Sequence, residues 1–191
     1  MKKQLFFLLL FAVCSVLGAE AVENYLDTPT KLSFNGTDYE LGWSSHPRDY
    51  QYLQEYFPEG QTPENFTEML SIWMLVGDFP ANVWIQNLAA SYNERKQWDL
   101  CCNFQMYENG GEHMLDCILG ESADNEMKLV EFNIYRCKNI FVGGHPAIII
   151  CFFTCQGKDE DITPFLMALR EDRMKYLVAM ANFEFPEVSI R

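Results

Sequence analysis

The sequence predicts an α+β domain with a mostly antiparallel sheet and two packed helices. Three observations carry that expectation. Strand-like runs are followed by a helical run, more strand-like runs and a last helical run. Turn dipeptides with positive-φ preference, Asn35-Gly36 and Asn109-Gly110, sit between apolar alternations. The stretch Ala147–Cys155 is rich in Ile and Phe, as a strand buried on both faces requires.

In chain order, residues 31–43 read as a hairpin around Asn35-Gly36, with Leu32, Phe34, Tyr39 and Leu41 on its strands. A second hairpin joins Tyr50–Phe57 to Phe66–Met74 through Pro58-Glu59-Gly60. Phe66, Met69, Leu70, Trp73 and Met74 also fit helical spacing, so strand and helix compete there. After Asp78, Pro80 opens a helix whose apolar face is Ala81, Trp84, Ile85, Leu88 and Tyr92. Strands follow at 100–107, 113–119, 128–137 and 147–155. A final helix starts at Thr163-Pro164 behind Asp159, Glu160 and Asp161, with Phe165, Leu166, Leu169, Tyr176, Leu177 and Met180 as its stripe. No linker or sequence repeat divides the chain.

Residues 1–19 have the layout of a secretory signal peptide: Lys2-Lys3, an apolar run from Leu5 to Val13, then small residues at Gly18 and Ala19. The expectation is a single exported domain at 20–191, periplasmic or extracellular. Val13 is too bulky beside Cys14 for a lipoprotein site. Removal of the leader takes the formal charge from −13 to −15. Such an acidic surface repels phosphate backbones and anionic lipid, which argues against nucleic acid and membrane-surface partners. The plainer reading of the charge is solubility, the sharper one attraction to a basic protein, and charge alone does not separate the two. No further stretch approaches membrane length.

Export makes the cysteines readable as a disulfide framework. With Asn109-Gly110 as a two-residue loop, Cys102 lies opposite Cys117, at roughly 5.5 Å between Cα atoms and within bridging range. A loop centred on Gly144 likewise sets Cys137 opposite Cys151. Cys101 and Cys155 remain for a third pair, and six cysteines permit many connectivities, so that pairing stays open.

Catalytic and cofactor signatures are sparse. Nucleophile-elbow, dinucleotide, Walker and zincin motifs are absent, as is Cys-x-x-Cys, so no cofactor and no catalytic residue is assigned. Ser44, Ser45 and His46 follow Gly42-Trp43 closely, but read as a strand end running into a loop. His113 and Met114 face opposite sides of a strand, which argues against a soft-metal site with Cys117. Trp43, Trp73, Trp84 and Trp98 would line an apolar ligand pocket if they converged; tryptophans are more often core.

The segments Glu55-Tyr56-Phe57-Pro58-Glu59-Gly60 and Glu64-Asn65-Phe66-Thr67-Glu68-Met69 resemble a stretch of small secreted bacterial proteins of PsbP-like α+β architecture. The resemblance covers Glu55 to Met69 and implies a PsbP-like sandwich scaffold without catalytic residues. The leading functional expectation is an exported, non-enzymatic binding or accessory protein held by disulfides, in one form an acidic inhibitor or immunity protein. The alternative is a secreted hydrolase or thiol-dependent enzyme using a free cysteine, Cys101 or Cys155, with a histidine.

Overall fold

Turn chemistry sets the strand order. Asn35 and Gly36 both take positive φ, so β1 (Lys31–Phe34) folds straight back on β2 (Thr37–Arg48), with Phe34 opposite Thr37. The chain continues through β3 (Gln51–Pro58), β4 (Glu68–Val76) and helix α1 (Ala81–Arg95). It then repeats the pattern with β5 (Asn103–Asn109), β6 (Glu112–Ala123), β7 (Glu126–Val142), β8 (His145–Lys158) and helix α2 (Ile162–Asn182). This computed structural model describes residues 22–124 and 126–190. The expected signal peptide at 1–19, Cys14 included, lies outside the described residues.

All eight strands form one antiparallel sheet in the order β1-β2-β3-β4-β8-β7-β6-β5. The last strand of each four-strand meander, β4 and β8, pair at the centre. β8 is buried without a break from Ala147 to Gly157. Its odd residues, Ile149, Cys151 and Phe153, enter one core with Leu169, Leu177 and Met180 of α2; its even residues, Ile148, Ile150 and Phe152, enter a second with Ala81, Ile85 and Tyr92 of α1. The helices therefore lie on opposite faces.

That arrangement corrects the expected fold class. Strand accounts for 51% of residues and helix for 23%, so the fold is sheet-dominated and not an α+β PsbP-like sandwich with two packed helices. The physical reason is strand length. β7 and β8 run for 17 and 14 residues because apolar side chains continue on both faces well past the short runs that periodicity picks out.

Register also corrects the cysteine pairing. The β5–β6 loop is Gly110-Gly111, not Asn109-Gly110; Asn109 pairs with Glu112, and Cys117 faces Phe104. Cys102 lies before β5 begins, in a turn that Asp99 ties down by accepting from the Cys101 N–H at 2.9 Å and the Gly120 N–H at 2.9 Å. The β7–β8 loop is Gly143-Gly144, which sets Cys137 opposite Ile150 and Arg136 opposite Cys151. One residue of slip sends Cys137 and Cys151 to opposite faces. Cys101 packs beside Gly120, whereas Cys155 is buried in the α2-side core. All six described cysteines are free thiols, so the expected framework of Cys102–Cys117, Cys137–Cys151 and Cys101–Cys155 is not formed.

The two faces are covered unequally. On the α2 side the helix is joined by the chain termini. Gln54, fully buried, accepts from the Leu26 N–H at 2.9 Å and donates to Thr28 Oγ1 at 2.8 Å, pinning the segment before β1. After α2, Phe183, Phe185, Val188 and Ile190 pack on the same core, and the Ser189 N–H donates to the Leu26 carbonyl. Arg136 fixes that return: it pairs with Glu112 and donates to the carbonyls of Met180 at 2.7 Å and Phe183 at 2.6 Å. On the other side α1, only 15 residues long, lies over β5, β6 and β7. Among the described residues no helix lies above the α1 side of β2, β3 and β4.

Candidate functional site

Cross-strand registry lines up one row of side chains over the α1 side of the sheet. Trp43 of β2 stands opposite Glu55 of β3, Glu55 opposite Ser71 of β4, and Ser71 opposite Phe152 of β8; Phe152 then meets Tyr135 of β7. Under α1, Phe152 is buried and Tyr135 half-buried. Toward β2 the face opens in part: Trp43, Leu53, Glu55, Trp73 and Leu75 are half-buried, with Ser71, Phe57 and Met69 buried between them, while Ile150, Cys137 and Leu115 farther along are fully buried.

A bulge aims Trp43 into this opening. The β2–β3 register shifts between Leu41 and Trp43, so Leu41 pairs with Tyr56 and joins the α2-side core while Trp43 pairs with Glu55 on the other face. Without the extra residue, two positions two apart would share a face. Glycine suits the bulge, because a Cβ on Gly42 would stand 2.7 Å from the buried Phe57 ring and force that ring to shift.

Three polar groups in the opening lack partners among the described residues. The Glu55 carboxyl makes no hydrogen bond or ion pair. Burial alone pushes it up to about 7, so it is partly protonated at neutral pH. Ser71, directly opposite, is fully buried and its Oγ is unpartnered; the Trp73 Nε1–H beside it is likewise buried and unpartnered. Polar groups in such surroundings normally find partners, and here three without one among the described residues share one face of neighbouring strands. Trp73 packs edge-to-face on Phe152 (4.7 Å between centroids), and Phe152 lies tilted against Tyr135 (5.2 Å), so an aromatic floor runs from the opening in under α1.

Burial disfavours the thiolate form of the cysteines. Cys117 and Cys137 are each pushed up to about 12, chiefly by burial, and burial raises Cys101, Cys102, Cys151 and Cys155 as well. Such groups are protonated and weakly nucleophilic at neutral pH. Cys102 donates toward the Tyr92 carbonyl at 3.4 Å and Cys137 toward the Ala81 carbonyl at 3.7 Å. His113 sits across from Cys137 in the β6–β7 ladder, yet its Nδ1 lies 4.0 Å from Glu108, on the rim of a cleft of about 430 Å³ between α1 and the β5–β6 hairpin. Among the described residues no group of three or more His, Cys, Asp or Glu is placed to hold a metal ion.

Of the residues singled out in the sequence, the structure brings Trp43 and Trp73 to one site, leaves Trp84 on α1 near Tyr135 (6.2 Å) and sets Trp98 at the surface with 69% exposure. Ser44 and Ser45 belong to β2, which runs on to Arg48 where a loop was expected. Glu55 and Ser71 were not anticipated as site residues. Their only signal was position: a carboxylate and a hydroxyl placed where apolar residues alternate in β3 and β4.

Fold and site together define a sheet-dominated protein whose antiparallel sheet, among the described residues, has a helix over only part of one face. The chain belongs to the family whose model matches residues 26–185. Nothing links that family to PsbP-like proteins, so the resemblance at Glu55 to Met69 is set aside. No curated protein and no solved structure matches the chain. No helix among the described residues is long and apolar enough to cross a membrane.

Proposed function

We propose that this is an exported, non-enzymatic binding protein that uses the open half of its sheet to engage a basic protein. The observation that carries the reading is the Glu55 carboxyl, without a partner among the described residues, set among Trp43, Ser71 and Trp73 on a part of the face that no described helix covers. The formal charge of −13 favours a basic partner and speeds its approach, while the aromatic floor supplies contact area of the kind that dominates binding energy. Buried thiols, held protonated by their surroundings, support binding over thiol chemistry. An acidic inhibitor or immunity protein that covers a basic enzyme or toxin is the specific form that fits.

Affinity capture from the native host's secreted fraction tests the proposal. The wild-type protein should retain a basic protein that elutes as salt rises, and the Trp43→Ala, Trp73→Ala double variant should lose it. Equal retention by both forms would remove the open face from the interaction. Failure to retain any protein in a salt-sensitive way would end the basic-partner reading.

A further inference from the structure

We propose that the open face contains a cation subsite in which Glu55 is the counter-ion, Trp43 and Trp73 are the aromatic walls, and Ser71 is a positioning residue for the carboxylate; its occupant is a lysine-type side chain of a basic polypeptide. This deepens the reading above and rests on it.

The inference starts from what surrounds Glu55. Its neighbours on the face are Trp43 and Ser71 across the strands, Leu53 and Phe57 along β3, and Met69 and Trp73 diagonally on β4. None of these carries a charge, and burial is the sole cause of the raised affinity of Glu55 for its proton. A carboxylate in an apolar setting with no cation beside it is unfavourable as an ion, and becomes favourable when a partner supplies the missing charge. An aromatic wall adds to that preference, since a cation over an indole face is attracted by the ring quadrupole.

Ser71 supplies the second, independent observation. Its hydroxyl is fully buried, unpartnered and on the residue directly opposite Glu55. A hydroxyl rotates freely and can donate to a carboxylate as soon as that carboxylate ionises. Arrival of a cation then shifts Glu55 to its charged form, and the Ser71 O–H turns to hold it. The bulge at Gly42 serves the same end, because it takes Trp43 out of the other core and stands it against Glu55.

The test uses the full mature protein and an acetylated, amidated (Lys-Gly)4 peptide as the probe, followed through the indole N–H resonances of Trp43 and Trp73 by NMR. A control peptide carries the same lysines with Nζ acetylated. The lysine peptide should move both indole signals saturably, the acetylated one should not, and Glu55→Gln should weaken binding about tenfold or more. Ser71→Ala should weaken binding severalfold and raise the pH at which binding reaches half its limit, a shift that a merely structural role would not produce. Equal binding of the acetylated peptide would overturn the cation assignment in favour of an apolar occupant. Equal binding by Glu55→Gln would overturn the subsite and assign the attraction to the acidic surface at large. If Glu55→Gln still captures the native basic partner with wild-type salt dependence, the subsite fails while the basic-partner reading stands.

Discussion

Replacing Glu55 by glutamine isolates what it costs this fold to keep a carboxyl in the open aromatic face. In the unfolded chain the group titrates near its ordinary 4.5, and in the folded chain burial raises it to about 7. Between those values the unfolded chain has released a proton that the folded chain still holds. Stability therefore falls as pH rises through the window and levels off above 7. At about 1.4 kcal/mol per pH decade, the window amounts to roughly 3 kcal/mol. Residual solvent contact at the half-buried carboxyl trims that to about 2 kcal/mol. Glutamine keeps the shape and has no charge to desolvate. Urea denaturation should therefore find Glu55→Gln equal to wild type near pH 4 and more stable by about 2 kcal/mol near pH 8. The same variant should bind the lysine peptide worse, so one substitution moves stability and binding in opposite directions. A stability difference of the same size at both pH values would refute the reasoning, because packing and not ionisation would then be its source.

Other perturbations follow from the same geometry. Arg173→Ala should cost about 3 kcal/mol by chemical denaturation, since it strands the buried Asp116 carboxylate that Arg173 holds through Nε at 2.9 Å, leaving only the Tyr107 hydroxyl. Gly157→Ala should destabilise by about 2 kcal/mol or more, because the new Cβ meets the Phe165 Cβ at 2.6 Å and the Asp161 carbonyl at 3.0 Å, both anchored by the start of α2. Thiol labelling of the folded protein with a disulfide reagent should modify Cys101 first, the one half-buried thiol among the six, and reach the other five only on unfolding. Mass spectrometry of the labelled protein reads that order directly. Gly42→Ala should displace Phe57 and Trp43, reducing lysine-peptide affinity severalfold with a smaller effect on stability.

Local chemistry was legible in the sequence because it acts over a few residues. Asn35-Gly36 can be read as a tight turn from its φ preferences alone, and Pro80 marks the start of α1 by what it cannot donate. The apolar run of β8 announces a strand buried on both sides, and all eight strand segments lie where alternation or turn residues suggest, apart from their lengths. The balance of charge, read from composition, fits solubility as well as a basic partner and does not separate the two.

Register, facing and completeness of cover were settled only in three dimensions. The choice between Asn109-Gly110 and Gly110-Gly111 as the β5–β6 loop changes which residue faces Cys117, and nothing local decides it; the packing of both strand faces does. The N-terminus of α1 is satisfied by Asn139 of β7, whose Oδ1 accepts from the Ala81 N–H at 3.0 Å, a cap supplied from 58 positions away. Glu55, Ser71 and Trp43 lie on three different strands, and a bulge turns the last of them toward the other two. A site built from cross-strand neighbours leaves no spacing in the sequence to find. It lies on the part of the sheet that α1, set over β5, β6 and β7, leaves without a helix among the described residues.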